Sequence, residues 1–308
     1  MQKMKRWNAI SMMFVVFLFA TTKTFAIGDG PRAYWAAPKD SNVLIPMYMG
    51  IQSNFGFNDS LVVKDAEFDT DILALMYTRT LSVGGNLSGI SFILPTGQVD
   101  GGFPDTAIQG KSSGLGDLTV MGVFSLFGAP AHSLKTFASY KPKTIFDLLL
   151  FATIPIGEYD SNKVVNLGTN RWSLRFGTPI MHFFRSGSGK NMSFEILPSV
   201  TYFTDNNDPS GASSQLEQQA IYKVESHYTH DFNRTLWGSI DALYTSGGET
   251  TVDGVNKNNS QRSLGAGITL GINFSPTTSM TASYGTIVDR NENSQNGELL
   301  RMTFKYVY

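Results

Sequence analysis

The chain has 308 residues, a formal net charge of −1, 16 % charged residues and no cysteine. The near-neutral charge gives no electrostatic footprint for nucleic acid, and the lack of cysteine excludes disulfides, thiolate metal sites and cysteine nucleophiles. Charged residues fall well below the roughly 25 % of ordinary soluble proteins, yet no stretch after residue 26 approaches the ~20 apolar residues of a membrane helix. This composition favours a β-barrel over a soluble enzyme.

Residues 1–26 have the three parts of a secretory signal peptide. A positively charged start precedes the apolar run 10–20, and small residues follow at Thr24 and Ala26. A single membrane anchor is the alternative, but the apolar run is too short for a comfortable span. We therefore expect export of a chain that begins near Ile27.

Residues 27–41 are rich in glycine and proline and have no strand periodicity. We expect an irregular N-terminal segment ahead of the first strand. Its Tyr34 and Trp35 could enter the mouth of a barrel and restrict it as a plug. They could equally anchor the segment at the membrane interface, and the sequence leaves both interpretations open.

The last nine residues alternate without a fault between two faces. Met302, Phe304, Tyr306 and Tyr308 form the bulky face, and Arg301, Thr303, Lys305 and Val307 form the other. A period of two predicts a strand. An unpaired apolar edge invites aggregation in a soluble sandwich, whereas a transmembrane barrel closes its last strand onto its first. The pattern favours the barrel.

Similar strand patterns recur along the whole chain after residue 41. Twelve strands are predicted, at 42–52, 68–80, 85–96, 115–127, 144–156, 170–183, 192–203, 216–232, 235–245, 261–274, 279–289 and 300–308. Long polar connections, including 97–114, alternate with tight links, which is typical of outer-membrane barrels, as is an even strand count. The link 128–143 is too long for a tight turn, and we expect a strand extension or a small helix there.

Several ionisable residues lie on the less apolar faces of the predicted strands. They are Arg79, Asp117, Asp147, Arg171, Arg175, Glu195, Lys223, Glu225, His227, Asp241, Arg301 and Lys305. A charge facing lipid at the bilayer midplane costs roughly 2–4 kcal/mol, so these side chains should face the lumen. There they form a network of ion pairs that fills the barrel or, alternatively, line a solute path.

Catalytic and metal-binding signals are weak. His227 and His230 are three residues apart on a strand and would point to opposite faces, which is poor geometry for a metal. Ser226 and Ser239 are nearby, but no motif connects either to a base. We therefore expect no enzymatic activity, no metal and no cofactor.

Three stretches resemble one known family. Residues 30–39 (GPRAYWAAPK) with 42–44, then 114–118 (GLGDL), then 155–160 (PIGEYD) with 166–172 (NLGTNRW) are similar to motifs of the outer-membrane transporters of the meta-cleavage phenol-degradation pathway, the phenol MetA type. The last pair is the most specific. The family usually carries Thr-Gly where this chain has Ile156-Gly157. The resemblance implies an outer-membrane barrel that takes up aromatic or other hydrophobic compounds.

Together these patterns predict an all-β protein, a transmembrane antiparallel up-and-down barrel of about 12 strands over residues 42–308. We expect a channel in the cell outer membrane for passive uptake of small hydrophobic or aromatic solutes. A structural or adhesive barrel with a closed lumen is the alternative, and a lipid-modifying barrel enzyme is a third. Expected partners are outer-membrane lipid and lipopolysaccharide, the solute, and the barrel-assembly machinery, through the C-terminal strand ending at Tyr308. No nucleic acid is expected.

Overall fold

A computed structural model describes residues 28–55 and 61–308, which form a closed antiparallel β-barrel. The signal peptide expected at 1–26 and Ile27 lie outside the described residues. The elements are β1 Asn42–Ser53, β2 Glu67–Val83, β3 Asn86–Gly102, β4 Gln109–Leu115, β5 Leu118–Phe127, α1 Leu134–Phe137, β6 Thr144–Ile154, β7 Ser173–Gly177, β8 Ile180–Arg185, β9 Asn191–Phe203, β10 Leu216–Gln218, β11 Ile221–Asp231, β12 Leu236–Gly247, β13 Thr250–Val252, β14 Val255–Asn256, β15 Gln261–Asn273, β16 Thr278–Arg290 and β17 Gly297–Val307.

Twelve strands make up the barrel wall in the described part of the chain, as predicted. Two of them are interrupted. The break between β4 and β5 is at Gly116-Asp117, and the break between β7 and β8 is at Thr178-Pro179. Pro179 has no N–H to donate, but its carbonyl accepts from Asp147 N at 2.9 Å, and Thr178 N donates to Pro198 O at 3.1 Å. Backbone hydrogen bonding therefore continues across this second break.

The last strand closes the barrel against the first. β17 pairs antiparallel with β1, with Val307 opposite Val43 and Met302 opposite Tyr48. β9 pairs with β11 on the far side and completes the ring. Every wall strand in the described residues therefore has a neighbour on both sides. The backbone N–H and C=O groups can then form hydrogen bonds between strands, as they must in lipid.

The outer face of the wall is apolar. Large side chains exposed there include Leu73, Leu75, Phe92, Leu94, Ile240, Ile268, Leu270, Met302, Phe304 and Tyr306. Each alternates along its strand with a residue that points inward, which is the pattern of a lipid-facing surface. In the described residues, no helix is long and apolar enough to span a membrane.

The barrel has two unlike ends. The end with β2–β3, β11–β12 and β15–β16 turns also carries Asn42 and Tyr308, and we call it the short-turn end. The opposite end carries the long connections and is the long-loop end. In outer-membrane barrels, short turns face the periplasm.

Three expected boundaries were wrong. The predicted loop 97–114 is a hairpin, since β3 continues to Gly102 and β4 starts at Gln109, with Val99 opposite Ser112. Its glycines hid the strands, but they are needed because a Cβ at Gly101 would lie 2.1 Å from Glu67 O.

The predicted strand 216–232 is also divided. Only β11 belongs to the wall, while β10 joins β13 and β14 in a separate three-stranded sheet at the long-loop end. Gln219 N leaves the wall and donates to Glu249 O at 2.8 Å.

The predicted strand at 170–183 starts only at Ser173, because Asn170 has a φ of 53°.

The link 128–143 contains the small helix that was one of the two expectations. α1 spans Leu134–Phe137, and Ser133 caps it by accepting from Thr136 N. The rest of the link covers the short-turn end, with Ala131 N bonded to Gly85 O at 2.9 Å.

Candidate functional site: the barrel lumen

An N-terminal segment, residues 28–41, enters the barrel. Residues 28–37 lie against the inward-facing residues of the wall, and residues 38–41 lie at the short-turn end. Asp29 N and Gly30 N donate to the two carboxylate oxygens of Glu225 at 2.8 Å and 2.6 Å. Asp29 forms a two-pronged ion pair with Arg175, both contacts being 2.8 Å. Such charge-assisted, bidentate pairs are the strongest of protein hydrogen bonds.

The close approach of this segment requires glycine. Gly30 has a φ of +96°, and a Cβ there would lie 2.1 Å from Arg301 Nη2. A Cβ at Gly28 would lie 1.9 Å from Glu225 Oε2. Arg301 Nη1 also donates to Gly28 O at 2.8 Å, which links the segment to a strand on another side of the lumen.

Arg32 fixes the middle of the segment. Its guanidinium lies between the rings of Trp35 and Trp237, 4.2 Å and 4.0 Å from their centroids. The same group pairs with Asp231 at 2.7 Å, and its backbone N donates to Glu195 at 2.9 Å. The φ of Arg32 is +62°, a conformation that costs energy outside glycine and that these contacts hold in place.

Tyr34 and Trp35 both lie within the barrel. Tyr34 donates to Asp29 and packs against the cluster of Met121, Leu149 and Leu197. Trp35 Nε1 donates to Glu195 at 2.7 Å, and its ring meets Phe183 edge-on at 5.2 Å. Their polar atoms bond to the lumen carboxylates, so the two side chains turn away from the outer surface.

His227 lies at the centre of a second polar cluster. Its Nδ1 contacts Asp241 at 2.6 Å and its Nε2 contacts Glu225 at 2.7 Å. Asp241 also accepts from Ser239 at 2.6 Å and from Thr269 at 2.7 Å. Because both ring nitrogens are taken by carboxylates, His227 has no free nitrogen to act as base for a serine.

In residues 28–55 and 61–308, no group of three or more histidine, aspartate or glutamate side chains has an arrangement that could hold a metal ion. His227 is nevertheless the pivot of the network, since it joins Glu225, which holds the segment, to Asp241 of the neighbouring strand. All members of this network are buried.

A cavity of about 400 Å³ lies beside the segment, toward the short-turn end. One wall carries a patch of apolar side chains, which are Ile45, Met47, Met76, Met121 and Val123, together with hydroxyls such as that of Thr78. The other carries the hydroxyls of Ser279, Thr281, Ser283 and Thr303. Arg301 and Lys305 of β17 line it, and Asp147 lies on β6. The segment therefore narrows the lumen at this level without filling it.

Other predicted lumen residues have different positions. Asp117 is buried at the break between β4 and β5, and it accepts from Gly157 N at 2.9 Å, Thr169 N at 2.8 Å and Thr169 Oγ1 at 2.7 Å. It joins the wall to the loop 155–172 instead of lining the cavity. In that loop, backbone and side-chain N–H groups of Asn162 lower the pKa of Asp160.

Arg171 is buried near the long-loop end. It donates to Gln218 of β10 at 2.6 Å and lies 4.3 Å over the ring of Phe203. Lys223 shares the inward face of β11 with Glu225 and His227. The carboxylate of Asp147 is buried in the wall, and its Oδ1 has no hydrogen-bond partner in the described residues.

Arg79 does not face the lumen. Thr78 and Thr80 line the cavity, so Arg79 between them points outward, where it donates to Asp40 O at 2.7 Å at the short-turn end. The sequence misled here because β2 is apolar on both faces. Its inward Ile72 and Ala74 pack with Val99 and Leu167 in an apolar cluster toward the long-loop end.

Several site residues escaped the sequence analysis. Asp29 and Arg32 belong to a segment without strand periodicity, and Asp231 and Trp237 flank a turn. The charges of Asp29 and Arg32 could have identified them, because both residues are close in sequence to Tyr34 and Trp35 in the segment proposed as a plug.

This fold and lumen define a transmembrane β-barrel of the outer-membrane type. A family model described as "Putative MetA-pathway of phenol degradation" matches residues 52–304, and the chain belongs to this family. A closed barrel with an apolar outer belt is stable only in a membrane, and in the bacterial outer membrane such barrels are the rule. The protein is an outer-membrane protein.

Solved structures of low sequence identity share the fold. The COG4313 outer membrane channel of Pseudomonas putida F1 is 19 % identical, with 90 % of this chain and 99 % of that chain covered at a TM-score of 0.74. The β domain of the Bordetella autotransporter BrkA is 9 % identical, with 87 % and 100 % covered at a TM-score of 0.54. A search of curated protein sequences found no match.

Proposed function

We propose that the protein is an outer-membrane channel for the passive uptake of small hydrophobic or aromatic compounds, with residues 28–41 as a plug that restricts the lumen. The observation that carries the proposal is the position of this segment. It is held by side-chain contacts to the wall and leaves a cavity of about 400 Å³ beside it. Family membership adds the association with phenol degradation.

The charged lumen residues then have two roles. Glu195, Glu225 and Arg175 bind the segment, and Lys305 faces the remaining space. Arg301 does both, since it donates to Gly28 O and also lines the cavity. A structural barrel would need neither an inserted segment nor a cavity, because ion pairs between wall strands could close it. The enzyme alternative lacks a serine bonded to a histidine among the described residues.

The plug is tested by planar-bilayer recording on refolded protein without residues 27–41. We expect larger and steadier conductance than in the full mature chain, since the tied segment would no longer obstruct the lumen. A double variant, D29N with R32Q, should give intermediate conductance, and its matched control is D105N with R234Q outside the lumen. If neither the full chain nor the deletion passes ions or phenol, the channel proposal is wrong.

We also propose that the barrel-assembly machinery recognises the C-terminal strand through Tyr308. Its backbone bonds to Asn42 at the barrel seam, with both contacts 2.9 Å, while its ring is exposed beside Tyr306. Y308S keeps the backbone bonds, so refolding in detergent should be unchanged while the amount of barrel in cells falls. Y202S removes another exposed tyrosine as control, and equal amounts of both variants in cells would refute this role.

A further inference from the structure

The cavity beside the N-terminal segment has an uneven distribution of charge. Asp29 is neutralised by Arg175, and Arg32 by Asp231. Arg301 donates to Gly28 O. The side chain of Lys305, an exposed residue at the cavity, in contrast has neither an ion pair nor a hydrogen bond to any described residue.

Strand register places Lys305 between two chemically different surfaces. On one side, β16 sets Ser279 opposite Lys305 and Thr281 opposite Thr303. These hydroxyls line the same cavity. A cation flanked by hydroxyl donors is suited to an oxyanion such as a carboxylate.

On the other side, β1 and β2 present Ile45, Met47 and Met76 to the cavity, with the hydroxyls of Thr78 and Thr80 nearer the short-turn end. Met47 is opposite Thr303, and Ile45 is opposite Met76 on the next strand. Met121 follows on β5, opposite Ser91. Adjacent strands are about 4.8 Å apart, so this patch begins one strand away from Lys305. Thioether sulfurs make favourable contacts with aromatic rings.

The one acidic side chain of the cavity wall without a described cationic partner is Asp147, on β6. Five strand steps around the wall separate β6 from β17. A bound anion would therefore have its charge near Lys305 and away from Asp147, with its apolar part over the methionines.

We propose that this cavity is a binding subsite for small aromatic monoanions of the benzoate class, with the carboxylate on Lys305 and the ring over Met47, Met76 and Met121. The inference rests on the proposed channel function and adds a substrate class to it. The cavity volume is within the ~300–1,000 Å³ range of small-molecule sites. Arg301, four residues earlier on the same face of β17, offers a second cation deeper in the lumen.

Calorimetric titration of the mature protein in uncharged detergent at low salt tests the subsite. Benzoate should bind, and benzamide, a neutral isostere, should bind about tenfold more weakly or not at all, as expected for the loss of a charge-assisted hydrogen bond. K305M should weaken benzoate binding by a similar factor, K305R should retain it, and M76N should weaken both ligands. K135M, on the exposed helix α1, is the matched control.

Two results would overturn the subsite: equal binding of benzoate and benzamide, or unchanged benzoate binding in a heat-modifiable, folded K305M protein. Swelling of proteoliposomes in neutral phenol measures the channel separately. Phenol flux without Lys305-dependent benzoate binding refutes the subsite and leaves the channel intact. Lys305-dependent binding without any flux supports the subsite and counts against the channel alone.

Discussion

Glu225 shows how one buried carboxylate can hold a chain segment. Its two oxygens accept from Asp29 N, Gly30 N and His227 Nε2. Each hydrogen bond to a charged group contributes roughly 1.5–3 kcal/mol. Glu225 is thus the residue whose change should most directly loosen the segment, because it bonds to the backbone and no side chain of the segment can compensate.

E225Q is therefore expected to increase the open time of the channel. The amide replaces one acceptor oxygen with an NH₂ group that faces N–H donors, and losing one such bond corresponds to about a tenfold to hundredfold shift toward release. Single-channel recording measures the fraction of time spent at the higher conductance level. E217Q, at an exposed residue, serves as the control. If both variants spend the same fraction of time at the higher conductance level, attachment of the plug through Glu225 is contradicted.

At the scale of elements, the loop 155–172 behaves as part of the wall. β4 has a strand partner only in β3, and the loop covers its other side, with Glu158 N bonded to Leu115 O at 2.7 Å. Asp117 and the glycines explain the sequence motifs in this region. A Cβ at Gly157 would lie 2.6 Å from the carbonyl carbon of Gly116, so only glycine allows the loop to approach this closely.

D117N should loosen this loop while leaving the barrel closed. An amide nitrogen in place of one oxygen faces the N–H of Gly157 or of Thr169, leaving a buried donor unsatisfied at a cost of about 1–3 kcal/mol. Trypsin should then cleave the detergent-solubilised protein after Lys163 several times faster than wild type. D105N, in an exposed turn, is the control, and unchanged cleavage in D117N would rule out this anchoring role.

At the scale of the whole molecule, the barrel separates a lipid-facing surface from a charged interior. The separation can be tested with two exposed apolar residues outside the lumen. Ile268 is 51 % exposed on β15, and Val255 is 58 % exposed on the small sheet at the long-loop end. The two side chains are similarly exposed in the isolated chain. In a membrane, however, Ile268 would contact lipid, whereas Val255 would contact water.

I268R should lower the unfolding free energy in lipid bilayers by roughly 2–4 kcal/mol if Ile268 lies near the bilayer midplane, whereas V255R should have little effect. Urea titration of protein in liposomes, followed by tryptophan fluorescence, gives both values. Equal stability of the two variants would mean that β15 does not face lipid as the fold requires.

The period-two patterns were sufficient to predict the barrel, its twelve wall strands and its closure at the C-terminal strand. They were sufficient because each wall strand has lipid on one face and the polar lumen on the other. Successive residues therefore alternate between apolar and polar side chains. The period-two rule failed for β4 and for the inward face of β2, because neither composition is set by contact with lipid. Close approach of the backbone requires the glycines of β4, and the inward face of β2 is apolar because it packs in the cluster with Leu167.

The sequence by itself determined that charged side chains must leave the lipid-facing surface, since their burial in lipid is too costly. It did not determine their partners. Asp29 meets Arg175, and Gly30 meets Glu225, across 146 and 195 residues of chain. Local periodicity cannot predict contacts between residues so far apart in the sequence. The segment 28–41 is irregular and has no period, and its position depends on the lumen that all twelve strands form together. The tertiary structure alone decided that residues 28–37 lie inside the barrel, and that Lys305, which the sequence predicted to face the lumen, has no acidic partner among the described residues.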